Sequence, residues 1–129
     1  MRRFTKNFSV DELACKDGTP VPYDLYENAQ AICERAQKLR DLLGISLQVN
    51  SGYRTKSYNK KVGGAENSLH VEARALDLSC YGWTAEQLGT LYEGLIRLGV
   101  VPDGGLGIYP RSNGGWIHLD TGSKRRWRG

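Results

Sequence analysis

The feature that most constrains the fold is a long run of apolar residues with helical spacing in the first third of the chain. The apolar positions recur at alternating steps of four and three, and they are Leu25, Ala29, Ile32, Ala36, Leu39 and Leu43. This spacing lines them up on one face of a helix, so the helix must bury that face against another layer. Gly44 follows directly and predicts the end of the helix.

A second helix is predicted in the latter half of the chain. The tetrapeptide from Thr84 to Gln87 is a capping box, in which the first and last side chains satisfy backbone donors at a helix start. Apolar residues then recur at helical spacing as far as Gly99, at Leu88, Leu91, Leu95 and Leu98. A similar capping box from Ser9 to Glu12 predicts a short helix near the N-terminus.

Alternation of apolar and polar residues predicts strands between and after these helices. The pattern covers residues 45–50, 73–79, 105–109 and 115–120, and residues 110–114 join the last two strands as a hairpin. Residues 51–68 are polar and contain glycines, which favours a loop that includes a helical turn. The mixture predicts an α+β fold with a small antiparallel sheet flanked by helices.

The length and composition fit one globular domain, which we expect to span residues 1–129. The apolar runs are too short to cross a bilayer, so we expect no membrane partner. The basic N-terminal start has no apolar segment behind it, which predicts synthesis in the cytoplasm without a signal peptide. The odd number of cysteines favours a reduced compartment, and we expect Cys15, Cys33 and Cys80 to be small buried residues.

Basic residues crowd the C-terminal end of the chain, whose formal net charge is +4. Lys124, Arg125, Arg126 and Arg128 surround Trp127 there. Such a cluster could contact an anionic polymer, either a nucleic acid or an anionic cell wall. Because no helix-turn-helix, zinc-finger or aromatic sheet motif accompanies it in the sequence, we interpret the cluster as a solvated terminus and expect no nucleic-acid partner.

Two histidines and one aspartate form a candidate metal site. Alternation in the predicted strands turns Asp77 away from its neighbouring leucines, and it turns Trp116, His118 and Asp120 to one common face. A catalytic zinc takes three protein ligands and keeps one position open, and His70, Asp77 and His118 meet that number. A lone histidine is more often an ordinary surface or core residue, and spacing alone does not decide between these alternatives.

Several short motifs follow one another along the chain in a fixed order. They are Ser51-Gly52-Tyr53-Arg54, Val62-Gly63-Gly64-Ala65, Ser68-x-His70, Ala75-x-Asp77 and Trp116-x-His118-x-Asp120. This pattern, which runs from Phe8 to roughly the C-terminus, resembles the zinc D-Ala-D-Ala carboxypeptidases and their L-alanyl-D-glutamate endopeptidase relatives. Those enzymes share the hedgehog/DD-peptidase fold, which is therefore the fold that the resemblance implies.

The resemblance implies a role for the matching residues. The ligands of Zn²⁺ would be His70, Asp77 and His118. Arg54 would stabilise negative charge on the substrate, although it could merely pair with a surface carboxylate. Ser68 and Tyr53 would contact the substrate, and Ser68 could instead cap the segment that follows it. We expect Gly63 and Gly64 to let the loop adopt positive φ near the metal.

The chain departs from the family pattern at the residue that would act as general base. Several relatives have a glutamate or histidine just before the last zinc histidine, whereas this chain has Gly114, Gly115 and Trp116. Asp120 lies on the same strand face as His118, so it could be the base or could position that ligand. Trp116 would form a wall of the substrate groove or pack as an ordinary half-buried strand aromatic.

The resemblance implies a monomeric zinc peptidase that hydrolyses peptidoglycan stem peptides, at either a D-Ala-D-Ala or an L-Ala-D-Glu bond. The alternative is a non-catalytic zinc-containing module of the same fold that binds the wall or another protein, and the missing base favours it. The small size resembles phage wall-degrading proteins of the endolysin type. Such a protein acts on the wall after lysis or delivery.

Overall fold

The computed structural model describes residues 2–129, and it mixes helices and strands along the chain, which confirms the predicted α+β class. The helices are α1 (Tyr26–Leu43), α2 (Lys56–Lys61) and α3 (Ala85–Arg97). The strands are β1 (Arg3–Thr5), β2 (Phe8–Ser9), β3 (Gln48–Ser51), β4 (Ala75–Ser79), β5 (Gly105–Tyr109), β6 (Trp116–Asp120) and β7 (Arg125–Arg128). Short 3₁₀ turns cover Asp11–Leu13, Tyr23–Leu25 and Leu69–Glu72.

Both predicted long helices are present, with ends close to the predicted ones. α1 ends at Leu43, and Gly44 beyond it adopts a φ of 72°, a left-handed conformation that glycine takes without steric cost. α3 begins after the predicted capping box. The Gln87 amide N–H donates to Thr84 Oγ1 at 3.1 Å, and the Thr84 N–H donates to Gln87 Oε1 at 2.9 Å.

The N-terminal capping box also forms, but the helix that it begins is a single 3₁₀ turn. Ser9 Oγ accepts the Glu12 N–H at 3.1 Å, and Glu12 Oε1 accepts the Ser9 N–H at 2.9 Å. The turn ends at Leu13, whose side chain is buried in the core. The capping box therefore fixes where the turn begins, while its length is set by the packing that follows.

The main sheet has the strand order β3-β4-β6-β5-β7. The first four strands pair antiparallel, and β7 runs parallel to β5 at the edge. Leu76 and Leu78 of β4 and Ile117 and Leu119 of β6 are fully buried in a core that they share with α1 and α3. Because side chains alternate along a strand, the residues between them turn to the opposite face of the sheet.

Two strands begin at least two residues later than predicted. The strand expected over residues 45–50 is β3, which begins at Gln48. Ile45 instead lies in the connection after α1, where its side chain is 43% exposed. The strand expected over residues 73–79 begins at Ala75, because a 3₁₀ turn precedes it and Ala73 ends that turn with a φ of 56°. This correction puts His70 in the turn and leaves Asp77 at the centre of β4.

The C-terminal tail, which we expect from the sequence to be solvated, is mostly exposed, but it also forms strand β7 at the edge of the sheet. Arg126 anchors the strand, with Nε 2.8 Å from Glu93 Oε1 and Nη2 2.7 Å from Asp103 Oδ1. These ion pairs raise the pKa of Arg126, mainly through the hydrogen bond to Glu93. Both acidic partners are far from the tail in the sequence, so the tail's own sequence gives no sign of them.

The cysteines agree with the sequence-based expectation, because Cys15, Cys33 and Cys80 are all free and buried. Burial raises the pKa of the Cys33 thiol, which keeps that side chain protonated and unreactive. Among residues 2–129, no helix combines the length and the apolar character that a membrane crossing requires.

Close packing between β5 and β7 gives a test of the fold. A Cβ atom added at Gly107 would lie 2.6 Å from Nε1 of Trp127, so Gly107→Ala must displace the indole ring. We expect this variant to lose about 1–3 kcal/mol of unfolding free energy, measured by urea denaturation. Gly94→Ala is the control, because a Cβ there meets nothing within 4 Å and alanine favours helix. Equal stability of the two variants would contradict the described packing.

Candidate metal centre

Three elements bring His70, Asp77 and His118 together on the face of the sheet opposite the helices. His70 lies in the 3₁₀ turn before β4, while Asp77 and His118 are direct partners in the antiparallel pairing of β4 with β6. One ligand atom from each side chain lies within 4.8 Å of the others. The structure thus brings together the three residues that the sequence singles out, although they are far apart along the chain.

One oxygen of Asp77 is the meeting point of the two imidazoles. Asp77 Oδ1 lies 3.0 Å from His118 Nδ1 and 3.3 Å from His70 Nε2. The two rings are nearly perpendicular, with centroids 5.2 Å apart. His70 and Asp77 are buried and His118 is half-buried, so the group is largely shielded from water.

The second nitrogen of each imidazole has an acceptor of its own. His70 Nδ1 donates to the carbonyl oxygen of Gly52 at 2.7 Å, which leaves the His70 lone pair on Nε2, the atom that faces Asp77. His118 lies between two carboxylates, and when its Nε2 donates to Asp120 Oδ2 at 2.8 Å, a neutral imidazole has its lone pair on Nδ1, which also faces Asp77. Two imidazole lone pairs and one carboxylate oxygen form a donor set suited to a divalent transition metal.

Electrostatics keep Asp77 ionised. Burial acts to raise the pKa of Asp77, but hydrogen bonds and charges from His118 and His70 lower it well below its ordinary value. Burial acts to lower the pKa of His118, and the hydrogen bonds to Asp120 and Asp77 raise it by more. In the metal-free protein the two carboxylates therefore favour the protonated form of the His118 imidazole.

Asp120 is a buried carboxylate whose two oxygens are both occupied. Oδ1 accepts the backbone N–H groups of Gly105 at 3.1 Å and Gly122 at 2.9 Å. Arg125 Nη2 donates to both oxygens, at 2.7 and 2.6 Å, and the side chain of Asp120 is 1% exposed. Burial acts to raise the pKa of Asp120, but the hydrogen bonds from His118 and Arg125 lower it well below its usual range. This environment suits a carboxylate that orients His118.

Arg54 lies beside the group, with Nη2 3.5 Å from Asp77 Oδ2. Its Nε donates to Ser51 Oγ at 3.1 Å, and its Nη1 donates to Asn59 Oδ1 at 3.1 Å. Buried Asn59 is itself held, because its amide donates to the Ala65 carbonyl at 2.8 Å. The guanidinium is thus fixed from two sides, and it is not an isolated pair with a surface carboxylate.

The two loop glycines differ in what they contribute. Gly63 adopts a φ of 74°, as expected from the sequence. Gly64 does not adopt a positive φ, so that part of the prediction was wrong. A Cβ atom at Gly64 would instead clash with the side-chain oxygen of Asn59 and lie 3.0 Å from Arg54 Nη1. Gly64 therefore makes room for the asparagine that holds the arginine.

A cavity of about 810 Å³ opens over the three side chains. Arg54, Ser68 and Trp116 line it, as does Asp120 at its base. Ser68 also caps the 3₁₀ turn, because its Oγ accepts the His70 N–H at 3.2 Å. Tyr53 is not among the cavity-lining residues of the described chain. It packs against the core, and its burial raises its pKa.

Aromatic residues form one wall of the cavity. Trp116 stacks on Tyr109, with ring centroids 5.0 Å apart and planes 5° from parallel. Trp127 packs against His118 at a centroid distance of 5.1 Å, and its Nε1 donates to Tyr109 Oη at 2.7 Å. Sequence reasoning missed Trp127, Tyr109 and Arg125 as site residues. The alternation of Arg125 and Trp127 was a usable signal, but only if the tail had been predicted as a strand.

Comparisons with known proteins point the same way as the geometry. A family model described as Peptidase M15 matches residues 6–120. The chain is similar to the probable peptidoglycan L,D-endopeptidase MepK of Haemophilus influenzae, at 34% identity over 93 residues, which is 68% of this chain and 46% of that protein. It is also similar to peptidoglycan L,D-endopeptidase MepK of Escherichia coli K12, at 32% identity over 101 residues, or 73% and 51%. The chain thus spans about half the length of these relatives.

The donor set predicts stoichiometric metal binding. We expect the protein, dialysed against dilute zinc salt, to retain about one ion per chain, and we expect His70→Ala to retain much less because one ligand is lost. Elemental analysis measures this, and bound metal should raise the Tm of wild type but not that of His70→Ala. Glu72→Gln is the control, since it changes an exposed carboxylate in the same turn. Equal metal content in His70→Ala would sink the assignment.

The raised pKa of His118 predicts that acid weakens metal binding. Asp77 stays ionised down to low pH, whereas a proton on His118 competes with the metal. Below the pKa of His118, affinity should fall roughly tenfold per pH unit, and above it the affinity should level off. Competition with a chromogenic chelator measures the metal affinity over roughly pH 5 to 9, the range in which histidines titrate. Asp120→Asn removes a group that raises the pKa of His118, so in this variant the affinity should level off at a lower pH.

Proposed function

This chain belongs to the peptidase M15 family, and on that premise we propose that it is a zinc-dependent endopeptidase that hydrolyses peptidoglycan stem peptides. The observation that carries the proposal is the convergence of His70, Asp77 and His118 beneath a cavity large enough for a peptide segment. The similar proteins, which are named as L,D-endopeptidases of peptidoglycan, support an internal cut over release of a terminal D-alanine.

Zinc suits the proposed ligands better than magnesium or calcium does, since two imidazoles and one carboxylate favour it over these harder ions. His70 Nε2, Asp77 Oδ1 and His118 Nδ1 would hold the ion. A zinc ion in such a site supplies Lewis-acid chemistry for hydrolysis of a peptide bond. The acceptors behind the rings, Gly52 and Asp120, keep the two lone pairs aimed inward.

Arg54 would stabilise the negative charge that develops on the carbonyl oxygen of the cleaved bond. Its guanidinium faces the cavity next to Asp77, and Ser51 and Asn59 hold it there. A donor that is already oriented strengthens binding in the transition state more than in the ground state. Because two of its nitrogens are committed to these neighbours, a lysine would keep the charge but lose the orientation.

Asp120 would serve this reaction by positioning His118. Both of its oxygens accept hydrogen bonds, and its pKa is held low, so it is poorly suited to collect a proton. Ser68 and Trp116 would contact the peptide along the cavity wall. Tyr53 has no part in the proposal, because it packs against the core.

The organisation of the protein is part of the same proposal. We treat residues 1–129 as one peptidase domain that works as a monomer. Action on the wall after phage-type lysis or delivery stays a prediction, as does the lack of a nucleic-acid partner.

A second candidate function is a metal-containing module that binds the wall without cutting it. One observation favours it: among the described residues, the carboxylates that line the cavity are Asp77 and Asp120, and both are already engaged. A peptidase needs a group that accepts a proton from the attacking water. Cleavage assays separate the two candidates.

The role of Arg54 gives the test of function. Zinc-loaded protein should cleave stem peptides internally, with products identified by mass spectrometry, and a chelator should abolish the cleavage. Arg54→Ala should lower kcat by roughly 10²–10³, and Arg54→Lys should restore only part of it. Arg97→Ala, an exposed change in the last turn of α3, should match wild type. Stoichiometric zinc without any cleavage would favour the binding module instead.

A further inference from the structure

One end of the cavity carries two arginines that the proposed reaction does not use. Arg74 and Arg125 both line the cavity and flank the connection between β6 and β7, where Gly122 lies. Their side chains are 32% and 44% exposed, so each keeps part of its guanidinium accessible. Tyr109 and Trp116 line the cavity at the other end of β5, because Tyr109 pairs with Trp116 there while Gly105 pairs with Arg125. One end of the cavity is therefore basic and the other is aromatic.

Arg125 is held by two of its three guanidinium nitrogens, Nε and Nη2, which leaves Nη1 for a ligand. Nη2 donates to both oxygens of Asp120, and Nε donates to the Ser123 carbonyl at 3.3 Å. Within residues 2–129 the hydrogen bonds of this side chain leave from those two nitrogens, so Nη1 is the available donor. The guanidinium also lies over the Trp127 ring, 5.2 Å from its centroid, which limits its movement.

Arg74 reinforces the positive charge at this end of the cavity. Its Nε and Nη2 donate to Thr121 Oγ1 and to the Thr121 carbonyl, at 2.9 and 3.0 Å. Its Nη1 is 3.7 Å from Glu72 Oε1, a contact with an exposed carboxylate that water screens. Both guanidiniums are thus oriented by the protein and their side chains are partly exposed, an arrangement that suits recognition of a carboxylate.

The position of this pair relates it to the cleaved bond. Two hydrogen bonds, from His118 to Asp120 and from Asp120 to Arg125, separate Arg125 from a proposed metal ligand. A peptide residue adds roughly 3.5 Å along an extended chain, so Arg125 is within reach of a residue one or two steps from the cleaved bond. The family model matches residues 6–120 and therefore does not include strand β7, which carries Arg125.

From these contacts, and resting on the proposed function, we propose that Arg125, with Arg74 beside it, is a carboxylate subsite. It selects peptides with an acidic residue close to the cleaved bond, and it discriminates against the same peptides when that carboxylate is amidated. Arg125 thereby couples two tasks, since the guanidinium that binds the substrate carboxylate also holds the Asp120 that orients His118. The ligand class is an acidic peptide, and the group that is recognised is a free side-chain or main-chain carboxylate.

The test is a cycle of two substrates and several variants. The substrates are stem peptides that differ only in having a carboxylate or a carboxamide on the acidic residue nearest the cleaved bond. For wild type, amidation should lower kcat/KM roughly tenfold. For Arg125→Gln the two substrates should become nearly equal, and Arg74→Gln should reduce the preference in part. Arg128→Gln is the control, because Arg128 is on the same strand but turned to the other face, where it pairs with Glu86.

The cycle separates recognition from support of Asp120. Loss of support would lower kcat/KM for both substrates by the same factor, and that outcome would overturn the subsite, as would equal cleavage of the two peptides by wild type. If the protein cleaves neither peptide, the proposed hydrolysis fails, and calorimetric binding of the same pair decides the subsite. A tenfold binding preference in wild type that Arg125→Gln removes would then support the subsite. Equal binding of the two peptides would overturn it.

Discussion

The antiparallel register between β4 and β6 makes Asp77 and His118 direct neighbours, and the rest of the site is built around that pair. On the other face of the same strands, Leu76, Ile117 and Leu119 are fully buried. A slip of one residue would turn these apolar side chains toward the cavity and the histidine into the core. The hydrophobic packing of the helices on the sheet therefore fixes the register on which the candidate metal site depends.

Burying this polar group is tolerable because its members satisfy one another. Gly52 and Asp120 accept from the outer nitrogens of the two imidazoles, and Arg125 closes the chain by donating to Asp120. A buried carboxylate without a partner would cost roughly several kcal/mol of folding free energy. Removing one member of the network therefore destabilises the protein by leaving the next member unpaired. The network also explains why β7 belongs to the site as well as to the sheet, since it carries Arg125.

Local patterns predicted much of this architecture. The stripe that ends at Gly44, the capping box at Thr84 and the last hairpin all rest on contacts between near neighbours in the sequence. The ordered motifs around His70, Asp77 and His118 suggested a shared site, and the structure brings those side chains together. Contacts between residues far apart in the sequence were not predicted. Strand β7 pairs with β5, Arg126 pairs with Glu93, and Tyr53 packs against the core.

The sequence by itself determined which residue types are available and which local segments are helical or extended, because periodicity and capping act over a few residues. Only the tertiary structure decided which side chains are free to act. Asp120 lies on the expected strand face, yet both of its oxygens are already engaged, by His118, by Arg125 and by the backbone N–H of Gly105. Hydrogen-bond partners in a folded chain are set by packing across the sheet, which linear spacing does not encode.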